Sequence, residues 1–161
     1  MKKLMLLMLL IVAGGLTTMA QKYQTAAGIR FENAGMGLTV QQRFGTNKTF
    51  EALLTANKTA FEGTAMIERH IPIIFRGFNT YFGAGAHLGN VQHTQFYYGI
   101  DGIAGIEIKT PLLPLLFSVD IKPQLDFNYP NSDLGVRSRR FGWETGLSAR
   151  LILFRDKHRK N

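Results

Sequence analysis

Apolar and polar residues alternate along most of the chain beyond residue 20, with a period of two. The stretch LLFSVDIKPQLDF, 115–127, shows the pattern most clearly. Phe117, Val119, Ile121, Leu125 and Phe127 take one parity, and Asp120, Lys122 and Asp126 take the other. Residues two apart share a face of a strand, so this segment is apolar on one side and charged on the other. No stretch beyond residue 20 has sustained helical spacing, and no second long apolar run follows the N-terminal one.

Turn chemistry separates the alternating segments at Asn33-Ala34-Gly35, Gly45-Thr46-Asn47-Lys48, Asn57-Lys58-Thr59, Pro72 to Gly77, Asn90 to Gln95, Thr110 to Pro114, and Asn128 to Arg140. Eight strands are predicted, near 24–32, 36–44, 49–57, 60–70, 78–89, 96–109, 115–127 and 141–154. Short links without intervening helices imply an antiparallel meander. Eight such strands close into an up-and-down barrel, which removes the exposed edges.

With registers set by the apolar residues, the charges sort themselves. Ile29, Phe31, Leu38, Val40, Phe50, Leu54, Phe61, Ile67, Phe82, Leu88, Ile100, Ile106, Trp143, Leu147 and Leu151 fall on one face. Arg30, Glu32, Arg43, Glu51, Glu62, Glu68, Asp101, Glu107, Lys109, Asp120, Lys122, Asp126, Glu144 and Arg150 fall on the other. Among strand charges only Arg69 joins the apolar set.

A soluble barrel turns its apolar face inward, whereas an outer-membrane barrel turns it to lipid around a polar interior. Three features favour the second arrangement. Gly28, Gly37, Gly83, Gly85, Gly99, Gly105 and Gly146 share the charged face. Glycine makes room there, because an eight-stranded barrel is just wide enough to be filled by side chains. Aromatic residues such as Phe31, Phe44, Phe50, Phe61, Phe78, Phe117, Phe127, Phe141 and Trp143 gather at strand ends on the apolar face, as interfacial girdles require. The strands also have the length of bilayer-crossing ones, about 9–11 residues.

The runs Gly83-Ala84-Gly85-Ala86-His87-Leu88-Gly89, Gly99 to Glu107, and Asp120-Ile121-Lys122-Pro123 resemble small outer-membrane β-barrel proteins of Bacteroidota-type bacteria, with the eight-stranded OmpX/OmpA-type fold. The resemblance spans most of the chain beyond residue 20 and implies a transmembrane barrel; its motifs are structural and carry no chemistry. Two departures stand out. Such barrels usually finish on an aromatic residue, whereas here Phe154 precedes a basic tail and Leu153 holds the lipid-facing parity. Pro123 removes a ladder donor in mid-strand, which predicts a bulge beside it.

The N-terminus changes the picture of location. Two lysines, an apolar run from Leu4 to Val12, and small residues ending at Ala20 have the layout of a secretory signal peptide cleaved after Ala20. The apolar run is short for a spanning helix, which needs about 20 residues. Domain organisation therefore reads as a leader 1–20, a barrel 21–154 and a basic tail 155–161. The chain has no cysteine, so neither a lipid-anchored lipoprotein nor a disulfide framework is expected. Its formal charge of +8 is concentrated at the ends. Lys2 and Lys3 belong to the leader, and the tail RDKHRKN holds four bases against one acid, leaving the body at +3. That is no footprint for nucleic acid.

Candidate chemistry is sparse. The interior carries more acids than bases, and in a narrow lumen these must pair. Arg30, Glu62, Asp101, Glu107, Asp120, Lys122, Asp126, Glu144 and Arg150 form the expected interior polar network, with Asp101, Glu107, Asp120 and Lys122 expected to pair together. The longest link, 128–140, carries Arg137, Arg139 and Arg140, suited to lipopolysaccharide phosphates or simply to solvation. A lipid A-modifying enzyme would need a serine–histidine arrangement near the outer rim. His87, His93, Ser132, Ser138 and Ser148 present no motif that fixes one. The histidines His70, His87 and His93 lack metal-ligand spacing, and GAGAHLG precedes no helix and is no phosphate loop. No cofactor is expected.

The sequence reads as a non-enzymatic barrel of the bacterial outer membrane with a structural or surface-interacting role. Its expected partners are outer-membrane lipids, lipopolysaccharide, the insertion machinery and an unknown surface or periplasmic protein. A soluble periplasmic barrel holding an apolar ligand is the alternative, ahead of the enzyme.

Overall fold

A computed structural model describes residues 25–33, 35–45, 47–73, 78–91, 95–110, 113–130 and 137–154. Period-two alternation gives eight strands: β1 Thr25–Glu32, β2 Gly35–Phe44, β3 Lys48–Ala56, β4 Ala60–Pro72, β5 Phe78–Val91, β6 Gln95–Lys109, β7 Leu115–Pro130 and β8 Arg137–Phe154. Each pairs antiparallel with its chain neighbours, and β1 pairs with β8 to close the barrel. Thr25 faces Phe154 at one end, here the proximal end. The last residues of β1, β3, β5 and β7 lie at the distal end. The leader 1–20, the tail 155–161, His93 and Ser132 lie outside the described residues, as does the side chain of Ser138.

One predicted boundary moves substantially. The expected link 128–140 is strand at both of its ends, because β7 runs to Pro130 and β8 begins at Arg137, while 131–136 lie outside the described residues. Polar residues at a barrel rim need no apolar alternation to continue the ladder, so the charges there read falsely as loop. The bulge expected beside Pro123 is absent. Pairing of β6 with β7 skips Pro123 and resumes in unchanged register, Asp101 facing Gln124 and Ala104 facing Ile121. Gly102 makes this possible: a Cβ on it would stand 3.2 Å from Pro123 Cγ. The shift in β7 occurs instead between Asp126 and Tyr129, on the β8 side, where Asn128 takes φ 62°. Asparagine tolerates that left-handed conformation better than most residues.

The barrel is inverted relative to a soluble protein. Arg30, Lys122, Glu51 and Ser148 are 0% exposed inside, while Leu38, Ile67, Leu88 and Trp143 are 58–61% exposed outside. Along the exterior, aromatic residues occupy both ends. Phe31, Phe61, Phe96, Tyr98, Phe141 and Trp143 are distal; Phe50, Phe78, Phe82, Phe117 and Phe154 are proximal. Exposed aliphatic residues including Val40, Ile100, Ile106, Val119, Ile121 and Leu147 lie between them. Leu153 and Phe154 are both exposed at the strand end.

Interior glycines sit where large side chains need space. A Cβ on Gly146 would run into the Arg30 guanidinium, one on Gly99 into the His87 ring, and one on Gly105 would come within 2.8 Å of Tyr81. A few apolar side chains, Leu53, Met66 and Ile103, pack with Tyr81 among the polar ones.

Candidate functional site

The charged interior is the one concentration of chemistry among the described residues. It is built in tiers, because each strand contributes every second residue and strand stagger sets which ones meet.

In the first tier, Arg150 of β8 crosses the lumen to Glu51 of β3. Its Nε donates to Thr39 at 2.9 Å and its Nη1 to Ser118 at 2.8 Å. Thr39 in turn donates to Glu51 at 2.5 Å. On the proximal side, Gln41 donates to Glu68 at 3.1 Å, and His70 Nε2 lies 3.2 Å from the same carboxylate oxygen. Asn79 donates to Glu107 at 3.3 Å, and the His70 ring stacks on Tyr81 with centroids 5.3 Å apart.

Arg30 of β1 forms the second tier with Asp120 of β7. The contact is bidentate, at 2.9 and 2.5 Å, the fork geometry in which guanidinium and carboxylate match best. Arg30 also donates to Glu32 at 2.6 Å and Ser148 at 3.0 Å, and Tyr81 donates to Asp120 at 2.6 Å.

Lys122 centres the third tier. Its ammonium lies 3.0 Å from Glu144, 3.3 Å from Glu62 and 3.4 Å from Glu32. Glu62 also accepts from Tyr97 at 2.9 Å and Gln124 at 3.2 Å. Beside it, His87 lies between Asp101 at 2.8 Å and Asp126 at 3.3 Å. Asp101, Glu107, Asp120 and Lys122 therefore do not pair with one another. Each finds a different partner, because parity fixes the face of a residue and not what lies across the barrel.

Glu32, Glu51, Glu68, His70, Tyr81 and Tyr97 belong to these tiers alongside the nine residues expected there. All have interior parity in the sequence, so the signal was present. The tyrosines were easily overlooked because their rings read as apolar, while the hydroxyl makes them lumen residues.

At the distal end a cavity of about 320 Å³ opens among Glu62, Tyr97, Asp126, Tyr129, Arg140 and Glu144. The arginine cluster expected here is divided. Arg140 lies over Tyr129 at 4.6 Å and lines the cavity. Arg139 is exposed, on the parity of Phe141 and Trp143, and lies 5.7 Å from the Phe127 ring centroid. The side chain of Arg137 lies outside the described residues. Among the described residues, no group of three or more His, Asp or Glu side chains is placed to hold a metal ion. Both His87 ring nitrogens face carboxylates, and the Ser148 hydroxyl accepts from Arg30.

No protein-family model matches the sequence, and no curated protein sequence matches it. Its fold is similar to that of the N-terminal β-barrel domain of OprF from Pseudomonas aeruginosa. That likeness has a TM-score of 0.60 and 12% sequence identity, and covers 83% of this chain and 98% of the OprF domain. At that identity the likeness concerns the fold and not the bacterial group. The chain is an all-β, closed, eight-stranded antiparallel barrel, similar in fold to the OprF β-barrel domain.

Proposed function

We propose that the chain is a non-enzymatic integral barrel of a Gram-negative outer membrane, of the Bacteroidota type its strand motifs resemble, with a structural or surface-interacting role. The observation that carries this reading is the exterior: an aliphatic belt bounded at both barrel ends by exposed aromatic residues. Water gives no reason for that order, whereas a bilayer favours aliphatic side chains at its centre and amphipathic rings at its interfaces. A soluble barrel holding an apolar ligand needs an apolar lumen, and this lumen is filled by ion pairs. His87, held between two carboxylates, and Ser118 and Ser148, which accept from the crossing arginines, favour a structural role over hydrolysis of lipid A.

In this reading the proximal end faces the periplasm and the distal end faces outward. Arg139, exposed beside the distal aromatic residues, is the arginine that meets lipopolysaccharide phosphate; Arg140 serves the cavity. Insertion requires the outer-membrane assembly machinery, and the distal links are the surface open to a protein partner.

Fractionation tests the reading. The folded protein should remain in the membrane pellet through high salt and osmotic shock. After detergent extraction it should migrate differently on a gel before and after boiling. Release by salt or shock alone, or migration unaffected by boiling, would overturn it.

A further inference from the structure

Lys48 and Arg69 stand opposite each other on the exterior of the barrel, in the β3–β4 register. The Arg69 side chain is the strand charge that departs from the interior set, and Lys48 shares its outward parity. Both residues are exposed. His70 donates its backbone N–H to the Asn47 carbonyl at 2.8 Å. That bond brackets the Lys48–Arg69 pair and makes it a non-hydrogen-bonded pair, the closer of the two antiparallel kinds, with Cα atoms about 4.5 Å apart.

Like charges directly opposite across a ladder destabilise it, so this pair calls for an anion. Among the described residues none lies nearby on that face. Every described aspartate and glutamate has interior parity, and neither Lys48 nor Arg69 has a partner among the described residues. The ladder extends the row on both sides: Phe44 faces Lys48, and Phe82 faces Arg69. Two adjacent cations between two phenyl rings, at the proximal edge of an aliphatic belt, have the composition of a lipid headgroup level.

We propose that Lys48 and Arg69 form a binding site for the phosphate of an anionic glycerophospholipid in the proximal leaflet. Resting on the membrane reading above, the proposal names the lipid class recognised at that rim. The guanidinium takes two phosphate oxygens through its fork and the ammonium takes a third as a point charge. A lipid with net negative charge suits the pair better than a zwitterionic one, whose amine offsets its phosphate. The acyl chains of the bound lipid would run along the aliphatic face of β3 and β4, over Leu54 and Ile67.

Native mass spectrometry of the detergent-extracted barrel tests this, using phosphatidylglycerol and phosphatidylcholine with identical acyl chains. Phosphatidylglycerol should be retained severalfold more than phosphatidylcholine. Lys48→Gln or Arg69→Gln should each reduce its retention about fivefold, as expected for one cation near an anionic surface. The double variant should abolish the preference, and Lys58→Gln at the distal end should leave it intact. Equal retention of the two lipids, or an undiminished preference in the double variant, would overturn the site. So would inorganic phosphate binding to the barrel unaccompanied by any lipid preference. The gel shift on boiling is recorded for every variant. Its loss in the unaltered chain would count against the membrane barrel itself, whereas a retained shift without lipid preference would remove only the phospholipid site.

Discussion

Lys122 is fully buried among Glu32, Glu62 and Glu144. A lone buried charge is strongly disfavoured, so the cation and its carboxylates stabilise one another as a set. Replacing Lys122 by methionine keeps much of the volume and leaves the acids without their cation. The cost should be about 3–5 kcal/mol, the range for breaking a buried pair by removing one partner. Tyr81→Phe is the milder comparison. It removes one hydrogen bond to Asp120, which keeps both contacts with Arg30, and should cost about 1.5–3 kcal/mol. Urea midpoints of the heat-shifted gel band would rank the two, and a smaller loss for Lys122→Met would argue against charge pairing as what holds the interior. Which residues face inward was legible from parity alone, Lys122 included. That Lys122 meets Glu144 while Asp120 meets Arg30 was not, since those pairings depend on strand tilt and stagger around a closed cylinder.

The strands themselves were legible because each carries its own apolar period and most are bounded by turn residues. The β3–β4 link shows how local the signal is: the Asn57 side chain accepts from the backbone N–H groups of Thr59 and Ala60 at 2.8 and 2.7 Å. The start of β8 was not legible, because Arg137 to Arg140 has no apolar alternation and its strand state follows from pairing with β7. Pro123 shows the same limit inside a strand. Its missing N–H signalled a disturbed ladder, and the response lies on another strand, where Gly102 leaves space for the ring. That pairing predicts coupling. Gly102→Val should destabilise the barrel by about 1–3 kcal/mol through overpacking against the ring. On a Pro123→Val background the penalty should shrink, because the obstructing ring is gone and a ladder donor is restored. A double-mutant cycle read from the same urea midpoints measures the interaction, and strict additivity would show that the two residues do not compensate each other.

At the scale of the whole barrel, the tiers determine what can pass. Arg150 with Glu51, Arg30 with Asp120, and Lys122 with Glu32 and Glu62 each bridge strands that are not neighbours in the sheet. Two open spaces lie near the ends: the distal cavity, and a smaller one of about 190 Å³ lined by Arg43, Glu107 and Lys109. An eight-stranded barrel so filled is expected to be a plug, and the protein should show no steady conductance in a planar bilayer. A steady current through the unaltered chain would overturn that expectation. The excess of interior acids over bases makes a second, signed prediction. Removing the two crossing arginines together, as Arg30→Ala with Arg150→Ala, takes away side-chain volume and positive charge at once. Any current gained by the folded, heat-shifted fraction should then favour cations. The sign of the reversal potential across a potassium chloride gradient measures this. Anion preference in that variant would mean that the lumen carboxylates do not set the field along the path.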